Sequence, residues 1–326
     1  MCALSAPDSF HGVKHYREHE LPDIFHKRKP ASGHADEMQK SYSTQYAYEI
    51  YLKLWIVPRW RSYRLSEVKA VDVEGWLKSL PLARGSKAKI RNLMSALYSQ
   101  AIRWEWAEKN PIKSVRQSAK RMRTADVLTP EEITALLDKL PEPLRTACEL
   151  DAFTGLRRGE LIGLQWQDVD FEDLVIHVRR SVVLMVAGTP KTEASAKDVP
   201  LDAALAESLL KLKLAGPYNG ETDWVFASVT MKGRQPLWPE TLWRRYGRPA
   251  VRAAGILKRV AFHTFRHTYT TLLTQNNEDV KVVQELLRHA NSRITLDLYA
   301  QAGMTEKRQA QSKLVERVLR KGKAVV

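Results

Sequence analysis

The chain has 326 residues, 44% of them hydrophobic, enough apolar material for two domains with cores of their own and too much for a disordered chain. Its formal charge of +15 is uneven, since residues 40–125 hold 18 Lys/Arg against 6 Asp/Glu, a concentration suited to a polyanion such as nucleic acid. Two cysteines, Cys2 and Cys148, exclude a disulfide framework or thiolate zinc site; without an 18-residue apolar run or a leader pattern, the expected setting is a reducing cytoplasm with no membrane partner.

Residues 1–34 carry five of the nine histidines, three of them (His11, His15, His19) at helical spacing, but no carboxylate or thiolate cluster completes a metal site. This stretch reads as a flexible tail. From Ser41 to about Val115 the pattern is helical, with stripes at Tyr48, Tyr51, Leu52 and Trp55, at Val73, Trp76, Leu77 and Leu80, and at Leu93, Leu97, Ile102 and Trp106. Pro58, Pro81 and Asn110-Pro111 punctuate these helices, and a basic connector from Lys113 to Arg123 leads to a helix-start signal at Thr129-Pro130-Glu131-Glu132. Residues 35–120 are thus expected to form a helical domain and residues 121–326 a second one. Within the basic segment, Lys87, Lys89, Arg91, Lys113, Arg116, Lys120, Arg121 and Arg123 are the candidates for DNA contact.

In the second domain helices continue to about Leu164. Between Asp168 and Leu201 the period changes to two, through Val169, Phe171, Leu174, Ile176 and Val178, then Val182, Leu184 and Val186, then Val199. One small antiparallel sheet is expected, with a turn after Val186 at Gly188 and Pro190 that projects Lys191 from a polar hairpin. Helical pattern resumes at Asp202, with a break at Pro236 to Pro239, and a short charged helix from about residue 303 shows an apolar face at Leu314, Val315, Val318 and Leu319.

Two arginines, 109 residues apart, stand in distinctive surroundings: Arg157 in Thr154-Gly155-Leu156-Arg157-Arg158-Gly159-Glu160 and Arg266 in His263-Thr264-Phe265-Arg266-His267. Two guanidinium forks suit one phosphate, because each donates parallel hydrogen bonds to its oxygens and complements a pentavalent transition state. Leu286-Leu287-Arg288-His289 follows, then Thr295-Leu296-Asp297-Leu298-Tyr299-Ala300, with Tyr299 ten residues after His289.

These boxes, with Pro190-Lys191-Thr192 between them, resemble the tyrosine recombinase (phage integrase) family in order and spacing from roughly Ser41 to Val318. The resemblance implies a mainly α fold with a small antiparallel β-sheet (α+β), arranged as a two-domain clamp with a helical core-binding domain and a catalytic domain. It implies that Tyr299 attacks a DNA phosphate, leaving a 3′-phosphotyrosyl bond and a free 5′-hydroxyl, while Arg157 and Arg266 hold the non-bridging oxygens. A free tyrosine has a pKa of about 10, so forming the phenolate at pH 7 costs roughly 4 kcal/mol. His263, one helical turn before Arg266, is the general-base candidate, and Lys191 the general-acid candidate for the leaving 5′-oxygen. His289 is then a phosphate hydrogen-bond donor, and Glu160 orients Arg157 from behind. Arg158 and His267 are left as structural or backbone-contacting neighbours. Arg288 departs from the family pattern, standing where a glycine is usual, which implies either tighter packing or an added phosphate contact.

Other chemistries fare worse. Asp168, Asp170, Glu172 and Asp173 lie at a strand-turn-strand junction where acidic residues commonly stay in solvent, and Gly188-Thr189-Pro190-Lys191-Thr192 lacks the glycine loop and helix start of a nucleotide site. Neither metal nor ATP is expected, since a phosphotyrosyl bond conserves the energy of the cleaved phosphodiester. The expected partners are double-stranded DNA, further copies of the chain in a tetrameric synapse, and accessory DNA-bending or directionality factors. A type IB topoisomerase-like nicking and closing enzyme and a catalytically silent DNA-binding or excision factor are the alternatives.

Overall fold

The computed structural model describes residues 41–119, 125–190, 193–276, 278–288 and 311–312. Lys120, Arg121, Arg123, Lys191, His289 and Tyr299 lie outside the described residues, as do the histidine-rich residues 1–34 and the apolar positions Leu314, Val315, Val318 and Leu319. The chain divides between Thr124 and Ala125 into two compact units, and each buries its own apolar cluster.

The first unit is helical. Helix α1 (Tyr42–Tyr51) runs through a π-helical turn, Leu52–Ile56, into α2 (Val57–Trp60). Pro58, expected to break a helix, therefore sits in the first turn of α2: the wider π turn absorbs the loss of its N–H, and the chain continues in helical conformation to Arg61. Helices α3 (Ala70–Ser79) and α4 (Arg84–Arg103) complete the frame with a 3-10 turn, Pro111–Ser114, where the Asn110 side chain accepts from the Ile112 N–H at 3.0 Å. Trp60, Val73, Leu77, Leu93, Leu97 and Tyr98 are buried together, and Trp60 meets Tyr63 and Trp76 edge-on at 5.1 and 5.6 Å. The third expected stripe shifts. Tyr98 and Ala101 are buried in place of Ile102, and α4 ends before Trp106.

The second unit opens on α5 (Pro130–Leu137), where the Thr129 hydroxyl accepts from Glu132 N–H at 3.2 Å and the Glu132 carboxylate accepts from Thr129 N–H at 2.8 Å. This is the capping box expected at the start of that domain. Helices α6 (Leu144–Thr154) and α7 (Arg158–Ile162) follow, then strands β1 (Val169–Asp170), β2 (Val175–Ile176), β3 (Ser181–Val183), β4 (Val186–Gly188) and β5 (Val199–Pro200). A 3-10 turn, Glu193–Ala196, separates β4 from β5. Helices α8 (Ala203–Ala215), α9 (Pro239–Leu242), α10 (Arg248–Ala253), α11 (Phe262–Gln275) and α12 (Val280–Leu286) complete the described chain, with α11 packed against α6.

The mainly helical class with small antiparallel sheets is as expected, but the strands form two sheets: a three-stranded one ordered β1-β2-β5 and a separate hairpin, β3-β4. The hairpin corrects the expected alternation through Val182, Leu184 and Val186. Leu184 and Met185 are its two turn residues, with φ of 50° and 63°, while Gly188 is paired with Ser181 inside β4. A two-residue turn with both φ positive matches the twist of its strands and ordinarily selects Asn or Gly. Here two apolar residues occupy it, so alternation alone points past it.

Candidate active site

Local sequence sets up the first arginine. Helix α6 ends at Gly155, whose left-handed φ of 60° lets its N–H bond back to the Asp151 carbonyl at 3.1 Å. A Cβ there would sit 2.5 Å from the Tyr269 ring on α11, so α6 and α11 close over a position that only glycine fills. Two residues later Arg157 is extended and α7 begins. Gly159 then lets α7 lie on β3, for a Cβ would come within 2.9 Å of the Val182 carbonyl.

Arg157 Nη1 donates to Glu160 Oε1 at 2.7 Å and to Ser195 Oγ at 2.9 Å, and its Nη2 donates to the Arg288 carbonyl at 3.2 Å. Glu160 Oε2 also accepts from the Arg157 backbone N–H at 2.9 Å. Arg266, buried on α11, donates through Nη1 to the Gly155 carbonyl and through Nη2 to the Leu287 carbonyl at 2.6 Å. The two guanidiniums thus reach consecutive carbonyls of one chain segment, although they arise from different elements. Burial, and then the charge of Arg157, pulls the Arg266 pKa down to about 10, which leaves it charged at neutral pH.

A third arginine joins them. Arg288 is buried, Nη2 donating to Glu160 Oε2 at 2.6 Å and Nη1 to the Ser195 carbonyl at 3.0 Å. Its φ of 51° is left-handed, a conformation costing a residue with a Cβ about 1 kcal/mol or more. The residue that departs from the family pattern therefore turns inward, taking the packing alternative rather than the phosphate one. Burial would raise the Glu160 carboxyl, but the charges of Arg288 and Arg157 and the hydrogen bonds from Arg157 outweigh it and hold the pKa below the ordinary value. Asp151, also buried, goes the other way: burial pushes it well above the ordinary range, Arg266 opposing and Glu160 adding to the rise.

His263 is exposed on the first turn of α11, its ring 4.5 Å from that of His267, whereas Arg266, one turn on, faces inward. Arg158 forms a half-exposed ion pair with Glu240 at 2.5 Å. Ser195, Asp151 and the inward role of Arg288 escaped sequence reasoning. Arg288 alone left a signal, as a bulky residue at a position suited to glycine.

The acidic cluster splits. Asp168, expected to face solvent, is buried against Arg180 and accepts from the Gln165 N–H at 2.8 Å; Asp170 accepts from the Glu172 and Asp173 N–H groups, each at 2.9 Å. Two arginines nearby, Arg179 and Arg180, draw Asp168 inward, a pairing the local turn pattern does not reveal. Among the described residues no group of three or more His, Cys, Asp or Glu is arranged to hold a metal ion.

In the first unit, Lys89, Lys113 and Arg116 are exposed. Lys87 and Arg91 are half-buried and partly engaged within the unit: Lys87 Nζ donates to the Lys78 carbonyl at 2.9 Å and Arg91 Nη2 to the Lys113 carbonyl at 3.2 Å. Among the described residues no helix is long and apolar enough to cross a membrane.

The profile of the phage integrase family matches residues 126–306. A tyrosine recombinase XerC-like protein of Caldanaerobacter subterraneus is 27% identical over 269 residues, covering 72% of this chain and 68% of its own length. Among solved structures, the Tn1549 transposon integrase in complex with a circular intermediate DNA superposes with a TM-score of 0.74 at 21% identity, covering 90% of this chain and 99% of that one. A lambda integrase tetramer bound to a Holliday junction gives 0.64 at 23% identity, covering 86% and 78%. The chain belongs to the phage integrase family, the tyrosine-type site-specific recombinases.

Proposed function

We propose that this recombinase cuts and rejoins DNA through a 3′-phosphotyrosyl intermediate, with Tyr299 as nucleophile and Arg157 and Arg266 as the clamp on the phosphate. The observation that carries this reading is the convergence of the two guanidiniums. Arg266 Nη2 and Arg157 Nη2 donate to the carbonyls of Leu287 and Arg288, the two residues directly before His289 in the chain. Each Nη carries a second N–H, so anchoring one hydrogen bond to backbone leaves donors for non-bridging oxygens in a fixed direction. In this reading His263 accepts the phenolic proton, Lys191 protonates the leaving 5′-oxygen, and His289 adds a donor to the phosphate.

The exposed Lys89, Lys113 and Arg116 support a DNA face on the first unit. Arg84 and Lys87 also occupy the first turn of α4, where a cation opposes the helix dipole, a placement that favours an anion arriving from outside. Lys120, Arg121 and Arg123 extend the same basic sequence. Since a lambda integrase of this fold has been solved as a tetramer on a Holliday junction, four copies of the chain are the proposed assembly, acting where the cell keeps its DNA and with accessory factors bending it.

The test is an SDS-quenched gel after incubation, without metal or ATP, with DNA flanking the protein's own gene. A denaturation-resistant protein-DNA adduct that disappears in Tyr299→Phe is the expected result. Binding with no adduct would overturn the phosphotyrosyl reading.

A further inference from the structure

Arg288 does more than fill space. Its side chain spans two acceptors on different elements, Glu160 Oε2 on α7 at 2.6 Å and the Ser195 carbonyl in the 3-10 turn after β4 at 3.0 Å. Both acceptors are tied to Arg157: Glu160 Oε1 accepts from Arg157 Nη1 at 2.7 Å, and Ser195 Oγ accepts from the same nitrogen at 2.9 Å. The carbonyl of Arg288 itself accepts from Arg157 Nη2 at 3.2 Å. Arg157 is thereby held on three sides by groups that Arg288 holds or provides.

The residue is expensive to keep. Its side chain has no exposed surface, its φ of 51° is one glycine adopts freely, and its Nε has no hydrogen-bond partner among the described residues. A void of that shape would be filled more cheaply by apolar atoms, because a buried cation must recover its lost hydration through well-aligned partners. What apolar atoms cannot do is fix a carboxylate and a carbonyl at once.

We infer that Arg288 is a positioning residue for the first arginine: it locks Glu160 and the Ser195 turn into the arrangement that aims the Arg157 guanidinium at the scissile phosphate. Glu160 Oε2 also accepts from the Arg157 backbone N–H at 2.9 Å, but that bond and the guanidinium bond on Oε1 both belong to Arg157. Arg288 ties the same carboxylate to a different part of the chain and so fixes it independently of the side chain it orients.

This inference rests on the proposed clamp, and its test separates the two. Single-turnover adduct formation is measured on a nicked duplex from the DNA flanking the gene, over a range of DNA concentrations, for wild type, Arg288→Gly, Arg288→Lys, Glu160→Gln and the Arg288→Gly/Glu160→Gln double variant, with thermal unfolding in parallel. Glycine suits the backbone here, so Arg288→Gly is chosen to fold. The expected result is a rate at saturating DNA lower by roughly tenfold to a hundredfold, with the half-saturating concentration nearly unchanged. Arg288→Lys, which keeps the charge but cannot span both acceptors in fork geometry, should fall between. In the Glu160→Gln background the further loss from Arg288→Gly should shrink to about threefold or less, because the two act through one another.

Wild-type rates in folded Arg288→Gly, or losses that simply multiply in the double variant, overturn the positioning role while leaving the clamp intact. Should Arg288→Gly fail to fold, Arg288→Lys decides: a wild-type rate rejects the proposal and a reduced rate at unchanged half-saturation upholds it. No adduct from wild type overturns both readings.

Discussion

Positive charge is placed in opposite ways in the two units. In the first, Lys89, Lys113 and Arg116 stand in solvent, where their effect on a polyanion is additive, long in range and screened by salt. In the second, Arg266 and Arg288 are buried, and Arg157 is bonded to a carboxylate, a hydroxyl and a carbonyl. Charge of this second kind has direction. In the proposed function an exposed ammonium raises the local concentration of DNA, whereas a guanidinium hydrogen-bonded to its neighbours favours one particular arrangement of phosphate oxygens.

The sharpest way to break this comparison is to remove the directed charge. Arg266→Ala should lower adduct formation at saturating DNA by roughly 10³-fold, the loss expected for a principal transition-state donor, while binding persists. A gel-shift titration beside the adduct gel checks both, and parallel losses of binding and rate would erase the distinction between the units. Next in size, Lys89→Ala, Lys113→Ala and Arg116→Ala combined should weaken binding to any duplex and reduce the slope of log affinity against log salt by roughly one for each phosphate these side chains neutralise. Arg288→Gly should leave that slope alone. A slope that responds to the buried residue and not to the exposed ones would reverse the assignment.

Smaller effects probe the frame around the directed charge. Gly155→Ala forces a Cβ into a left-handed position 2.5 Å from the Tyr269 ring, so the protein should lose about 1–3 kcal/mol of stability, read from denaturant unfolding. Smallest is the effect at Asp151. Its folded pKa is raised by burial, so the stability linked to its proton is fully present below the unfolded pKa and is lost as pH rises through the folded one. Asp151→Asn keeps the neutral shape and abolishes that loss. The variant should therefore gain thermal stability over wild type progressively as pH rises from the unfolded pKa towards the folded one, and a constant difference across that range would show that folding does not raise the Asp151 pKa.

Much of the frame was legible because it is written in local chemistry. Thr129-Pro130-Glu131-Glu132 forms the capping box its residue types dictate, and the stripe at Val73 and Leu77 is buried where helical spacing places it. Local rules failed where a neighbour overrode them. Leu184 and Met185 form a turn without a turn residue, Pro58 rides on a π turn, and Asp168 is drawn inside by arginines more than ten residues away.

The sequence by itself determined the class of the protein, because the arginine, histidine and tyrosine boxes keep a fixed order and each carries its identity in a few contiguous residues. Only the tertiary structure decided how the arginines are used. Gly155, Glu160, Ser195 and Leu287-Arg288 meet around them from positions up to 133 residues apart, and hydrogen bonds across such distances depend on how α6, α7, α11 and the 3-10 turn pack. Spacing along a chain reports which side chains share a helix face, but the direction of a buried guanidinium is set by acceptors that folding alone brings to it.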